Sequence, residues 1–161
     1  MVKQFCLVLL LIVTFSACND NTKLQEQIDN LEVQSINSYK PGFGEFMSSI
    51  QVHHAKLWFA GKNQNWKLAD FEVNEIVETL DALQKYQKER KESQALPILH
   101  PAIDSVKIAI QLQNPKLFVQ CFKALTNTCN TCHQSVNFAF NVVKIPDTPP
   151  FSNQDFSVRN K

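Results

Sequence analysis

From residue 44 onward, apolar side chains recur at steps of three and four, the repeat of one helical face. Met47, Ile50, Gln51, His54, Leu57 and Trp58 mark the first such face and predict a helix over 44–60. Residues 61–65 read as a turn, with Gly61 as the C′ residue of that helix and Asn65 as the N-cap of the next. Val73, Ile76, Val77, Leu80 and Leu83 then predict a helix over 66–92, its Glu and Lys side chains outward, and residues 93–100 a loop. His100-Pro101 and Asn114-Pro115 each place proline where a first helical turn tolerates it. Ile103, Val106, Ile110 and Leu112 mark the third helix. Phe118, Cys121, Phe122, Leu125, Cys129, Cys132, Val136 and Phe140 mark the fourth. Alternating strand-like runs are few, and glycine occurs only at 42, 44 and 61, so the chain reads as all-α. Four amphipathic helices on short connections imply an antiparallel four-helix bundle over residues 43–143.

The flanks read differently. Residues 144–161 carry Pro146, Pro149 and Pro150 and predict an extended tail over the bundle. Residues 18–42 read as a polar tether, with a short amphipathic stretch at Leu24, Ile28 and Leu31 and a break at Pro41-Gly42. Residues 1–17 have the layout of a signal peptide: Lys3, an apolar run over 6–15, then Ser16-Ala17-Cys18. That run is too short to span a hydrocarbon layer of about 30 Å. A small pair directly before a cysteine resembles the lipobox of bacterial lipoproteins, although Phe15 stands where that motif usually has Leu or Val. The resemblance implies export, lipidation at Cys18, and anchoring on the periplasmic side of a bacterial membrane. Stable anchoring takes two acyl chains, which such processing supplies.

Charge narrows the partners. The chain has 16 Lys and Arg against 15 Asp and Glu, and loss of residues 1–17 removes only Lys3. The remaining balance of 15 to 15 gives no reason to propose a nucleic acid as partner.

The candidate chemistry lies at Cys129-Asn130-Thr131-Cys132-His133, the pattern by which one c-type haem is attached covalently. Two thiols form thioethers with the macrocycle, and the histidine ligates its iron. Positions i, i+3 and i+4 share a helical face, so all three side chains point the same way. Of the other cysteines, Cys6 leaves with the signal and Cys18 takes the lipid. Cys121 sits on an apolar stripe as a small hydrophobe.

A four-helix chain with Cys-x-x-Cys-His late in its last helix resembles the cytochrome c-prime group and its low-spin relatives, over about residues 43–142. The resemblance implies that Cys129 and Cys132 carry the thioethers and that His133 is the proximal ligand. It also implies that the first helix covers the opposite face of the haem. The family commonly has an aromatic and then a basic residue at the third and fourth positions after the motif histidine. Here Val136 and Asn137 stand there, so no role for that cation transfers.

With the first helix on the distal face, Met47 and His54 are the candidates for the sixth iron position. Seven residues separate them, roughly 10.5 Å along a helix, so one iron meets only one of them. An antiparallel fourth helix brings the late motif beside the start of the first, which favours Met47. Methionine ligation raises the potential and suits electron transfer. As a bland alternative, Met47 fills a core gap. His54 reads as a packed or hydrogen-bonded core residue and His53 as a solvated one. The aromatics Phe46, Trp58, Trp66, Phe71, Phe118 and Phe122 are candidates to wall the haem, or to serve only the core.

Rival readings use the same residues. A thiol–disulfide oxidoreductase would use Cys129 and Cys132, but such a pair normally sits at a helix N-terminus. A zinc site would need a fourth donor beside Cys129, Cys132 and His133, with His100 the obvious one. Within the haem reading, electron carriage with a redox protein of the envelope comes first. Binding or sensing of a diatomic gas such as NO or CO at an open distal site comes second. No further catalytic constellation points to an enzyme, and the reading leaves room for a homodimer.

Overall fold

The computed structural model describes residues 21–35, 38 and 41–158, and all regular structure among them is helical. The chain divides into two units, Met1–Lys40 and Pro41–Lys161. Of the first, the structure describes chiefly helix α1 over 21–35, where Leu24, Ile28 and Leu31 are exposed. The signal segment and Cys18 lie outside the described residues. No described helix is long and apolar enough to cross a membrane.

The second unit contains α2 (Phe43–Lys62), α3 (Trp66–Tyr86), the short α4 (Lys91–Ala95), a 3-10 turn (Leu96–Leu99), α5 (His100–Gln111) and α6 (Pro115–Ser135). Helix α2 packs most extensively on α3 and α5 on α6, while α3 also meets α5 and α2 also meets α6. Leu57, Val73, Leu80, Leu83, Val106 and Phe118 lie in the shared core. Asn65 and Asn114 cap α3 and α6 by accepting from the amides of Leu68 and Leu117.

Helix ends depart from the sequence reading for identifiable reasons. Gly61 is not a C′ residue. It lies inside α2, buried, where a Cβ would stand 2.1 Å from Cε1 and Cζ of Phe118. Glycine is there because a ring occupies the space of a side chain. The left-handed C′ positions are filled by Gln64, Gln113 and Asn137, at φ of 57°, 49° and 67°. Each closes a Schellman motif: the amides of Asn65, Asn114 and Phe138 bond back to the carbonyls of Ala60, Ala109 and His133. The third of these stops α6 at Ser135, so Phe140 is not on a core stripe and is 81% exposed. Helix α3 ends at Tyr86 rather than running to residue 92, because Ser93 Oγ donates to the Gln87 carbonyl and folds the chain into α4.

Two polar residues are also more buried than their helical register suggested. Glu72, assigned outward, is fully buried on α3, and His53, assigned to solvent, donates to it across 2.7 Å. Residues 144–158 contain no helix or strand. Within them Phe156 is buried, packing on Phe59, and Asn65 Nδ2 donates to the Ser157 carbonyl.

Candidate haem site

A cavity of about 440 Å³ opens between the first turns of α2 and the last turns of α6. Phe43, Met47, Ile50 and His54 line it from α2, and Cys129, Cys132 and His133 line it from α6. Further back the order of contacts reverses. Trp58, later in α2, meets Phe118 and Phe122, earlier in α6. Helices α2 and α6 therefore run in opposite directions, and this brings Met47 to the level of the Cys129–His133 segment.

Beyond α6 the Schellman stop at Asn137 turns the chain back, so that Phe138, Asn141, Val142 and Val143 form another wall. His133 Nδ1 lies 2.6 Å from the carbonyl oxygen of Asn141. A carbonyl only accepts, so Nδ1 carries a proton, and in the neutral ring Nε2 keeps its lone pair. That is the tautomer a metal-ligating imidazole needs, with its outer nitrogen already bonded.

The two thiols are poor nucleophiles here. Burial pushes both above their ordinary range, Cys129 up to about 12, the neighbouring Cys132 adding a smaller push to Cys129. A redox thiol needs the opposite shift. His100 is exposed at the start of α5 and does not line the cavity, so it does not join Cys129, Cys132 and His133. Among the described residues, no group of three His, Cys, Asp or Glu side chains is arranged to hold a metal ion.

His54 is buried and tied. Its Nε2 lies 3.0 Å from Thr126 Oγ1, and that hydroxyl donates its only proton to the Phe122 carbonyl. His54 Nε2 must therefore be the donor, which leaves Nδ1 as the acceptor of the ring. Burial holds this imidazole at a pKa of about 4, so it is neutral at pH 7. Ligation through Nε2 would cost the Thr126 bond, whereas Met47 has no such bond to give up.

Trp58, Trp66, Phe118 and Phe122, candidates to wall the haem, form their own cluster, with ring centroids 4.9–6.4 Å apart. They lie away from the cavity because Phe118 and Phe122 precede Cys129 by roughly 10–16 Å of helix. Phe46 is buried but does not line the cavity, and Phe71 is 53% exposed. The aromatic walls are Phe43 and Phe138, which the helical stripes did not single out. Phe43 had no visible signal, since it lies one residue before the predicted helix. Phe138 becomes a wall only through the turn at Asn137. At the rim, Arg90 bonds Glu92 at 3.0 Å and lies over the Phe43 ring.

The donor set fits a covalently held haem. Two thiols and an imidazole with an open Nε2 share one apolar cavity, whose volume falls within the range of about 300–1,000 Å³ usual for ligand pockets. No protein-family model, curated protein or solved structure matches this chain.

Proposed function

We propose that this chain is a monohaem c-type cytochrome that carries electrons, built as an antiparallel four-helix bundle of the cytochrome c-prime kind. One observation carries the reading. Cys129, Cys132 and His133 open onto a single cavity, with His133 Nδ1 bonded so that Nε2 is available. Cys129 and Cys132 would hold the macrocycle and His133 would be the proximal ligand. Met47 is the favoured distal residue, because it lines the cavity while His54 is committed to Thr126. Bound haem supplies one-electron exchange between ferric and ferrous iron. Ile50, Leu80, Leu96 and Leu99 give the site an apolar wall, and apolar surroundings of this kind would raise the potential.

The Lys3, apolar-run and Ser16-Ala17-Cys18 pattern supports export and a lipid anchor at Cys18 on the periplasmic side of a bacterial membrane. The partner on this reading is a redox protein of the same envelope. A second reading, binding of NO or CO, is favoured by the apolar lining if Met47 stays off the iron.

The test is an absorption spectrum of the purified protein, reduced and then exposed to carbon monoxide, for wild type and Met47→Ala. Electron carriage with Met47 ligation predicts a wild type that resists carbon monoxide and a variant that binds it promptly. Prompt binding by the wild type supports the gas reading, and a spectrum without a haem band overturns both.

A further inference from the structure

The geometry points to Asn130, inside the motif but taking no part in attachment, as the positioning residue that sets the proximal histidine's tautomer and donor strength. The inference rests on the haem reading and deepens it. Asn130 pairs with the backbone of residue 143 in both directions. Its Nδ2 donates to the Val143 carbonyl at 2.9 Å, and its Oδ1 accepts from the Val143 amide at 2.8 Å. A primary amide matched to a peptide group in this way fixes both the distance and the direction of that backbone.

Two residues earlier on the same backbone is Asn141, whose carbonyl accepts the hydrogen bond from His133 Nδ1–H. The segment has no other regular structure to hold it. It leaves α6 through the left-handed Asn137 and contains only turn and coil. Phe140 and Val142 do little to fix it, since they are 81% and 70% exposed. Between the turn at Asn137 and the Asn130 pair, the Asn141 amide donates to the Phe138 carbonyl at 2.9 Å, so the far end that Asn130 holds sets where this turn presents the Asn141 carbonyl. Asn130 and His133 are three residues apart on α6, close to one face, so a rigid helix carries both halves of the clamp.

The consequence is electronic. An imidazole that donates strongly through Nδ1–H is a better donor through Nε2, and such outer partners alter metal binding or activity by about 10–100-fold when removed. Loss of the clamp weakens donation to ferric iron and so favours the ferrous state.

The experiment compares wild type, Asn130→Ala and Asn130→Asp as full-length purified chains. Asp keeps the acceptor for the Val143 amide but sets a carboxylate against the Val143 carbonyl. Hydrogen exchange at the His133 Nδ1–H and the Val143 amide is followed by NMR, with amides of α2 and α5 reporting whether the fold persists. Asn130→Ala is expected to speed exchange at both sites by roughly tenfold, with Asn130→Asp intermediate and the α2 and α5 amides unmoved. In haem-loaded protein the midpoint potential of Asn130→Ala is expected to rise. Faster exchange at Val143 with His133 still protected overturns the inference, because Asn130 then merely ties down a loop. An unchanged potential in loaded protein overturns it too. Exchange is read whether or not haem is present, so a chain without haem defeats the functional reading and still decides what Asn130 does to His133.

Discussion

Replacing His54 with leucine should remove a pH dependence of stability that the burial of this imidazole creates. Burial holds the native pKa at about 4 against an ordinary 6.5. Above pH 6.5 both states carry a neutral ring and His54 adds no pH dependence. As pH falls through 6.5 the unfolded chain takes up a proton that the native protein refuses, so unfolding is favoured until the native ring is protonated near pH 4. With one more proton on the unfolded state, stability falls by about 1.4 kcal/mol per pH unit inside that window. Over the whole window the loss is about 3 kcal/mol, and between pH 7 and 5 it is roughly 2 kcal/mol. Leucine leaves no orphaned donor, because Thr126 Oγ1 already donates to the Phe122 carbonyl. Urea unfolding of both proteins at pH 7, 6 and 5, followed by circular dichroism, gives the difference directly. Carboxylates are common to both chains and cancel. Wild type should lose roughly 2 kcal/mol more than His54→Leu between pH 7 and 5, with equal m-values. Parallel stability curves would refute the claim that His54 is held neutral by burial.

Further consequences concern the fold. Gly61→Ala drives a methyl into the buried Phe118 ring, and an overpacking cost of 1–3 kcal/mol or more exceeds the helix-propensity gain of up to about 1 kcal/mol. A net loss of about 2 kcal/mol in urea unfolding is expected, whereas Gly44→Ala, with open space around it, should cost nothing measurable. His53→Ala strips the fully buried Glu72 of the only hydrogen bond its side chain makes among the described residues, leaving Lys56 Nζ at 3.9 Å. A loss of about 3 kcal/mol is expected, and adding Glu72→Met should recover most of it. Cys129 and Cys132, left unmodified in a folded chain, should react with a thiol reagent at pH 7 far more slowly than a free cysteine does, reaching comparable rates only on denaturation.

The helical class was legible because the apolar period survives tertiary packing, and the stripe on 118–132 placed the motif on the core side of α6. The site's other half was legible only as far as α2 carried it. Met47 and His54 could be named from register, but the Thr126 bond that commits His54 spans 72 residues and leaves no local trace. The helix stops were hidden for a different reason. Glutamine and asparagine in the left-handed region look like any polar residue, so the stop at Asn137 was invisible, and with it the returning wall of Phe138, Asn141 and Val143. The one glycine that resembled a stop signal was required by the ring of Phe118 instead. Glu72 misled because helical register assigns a charge to solvent, and the facing His53, with Lys56 Nζ 3.9 Å away, makes its burial tolerable.

The measurement that bears most directly on the central claim is the mass of the peptide spanning residues 129–133, from protein made in cells with a working haem-attachment apparatus. The account predicts a mass raised by that of one haem, and an unraised mass when Cys129 and Cys132 are both serine. An unmodified peptide from the wild-type chain would contradict it.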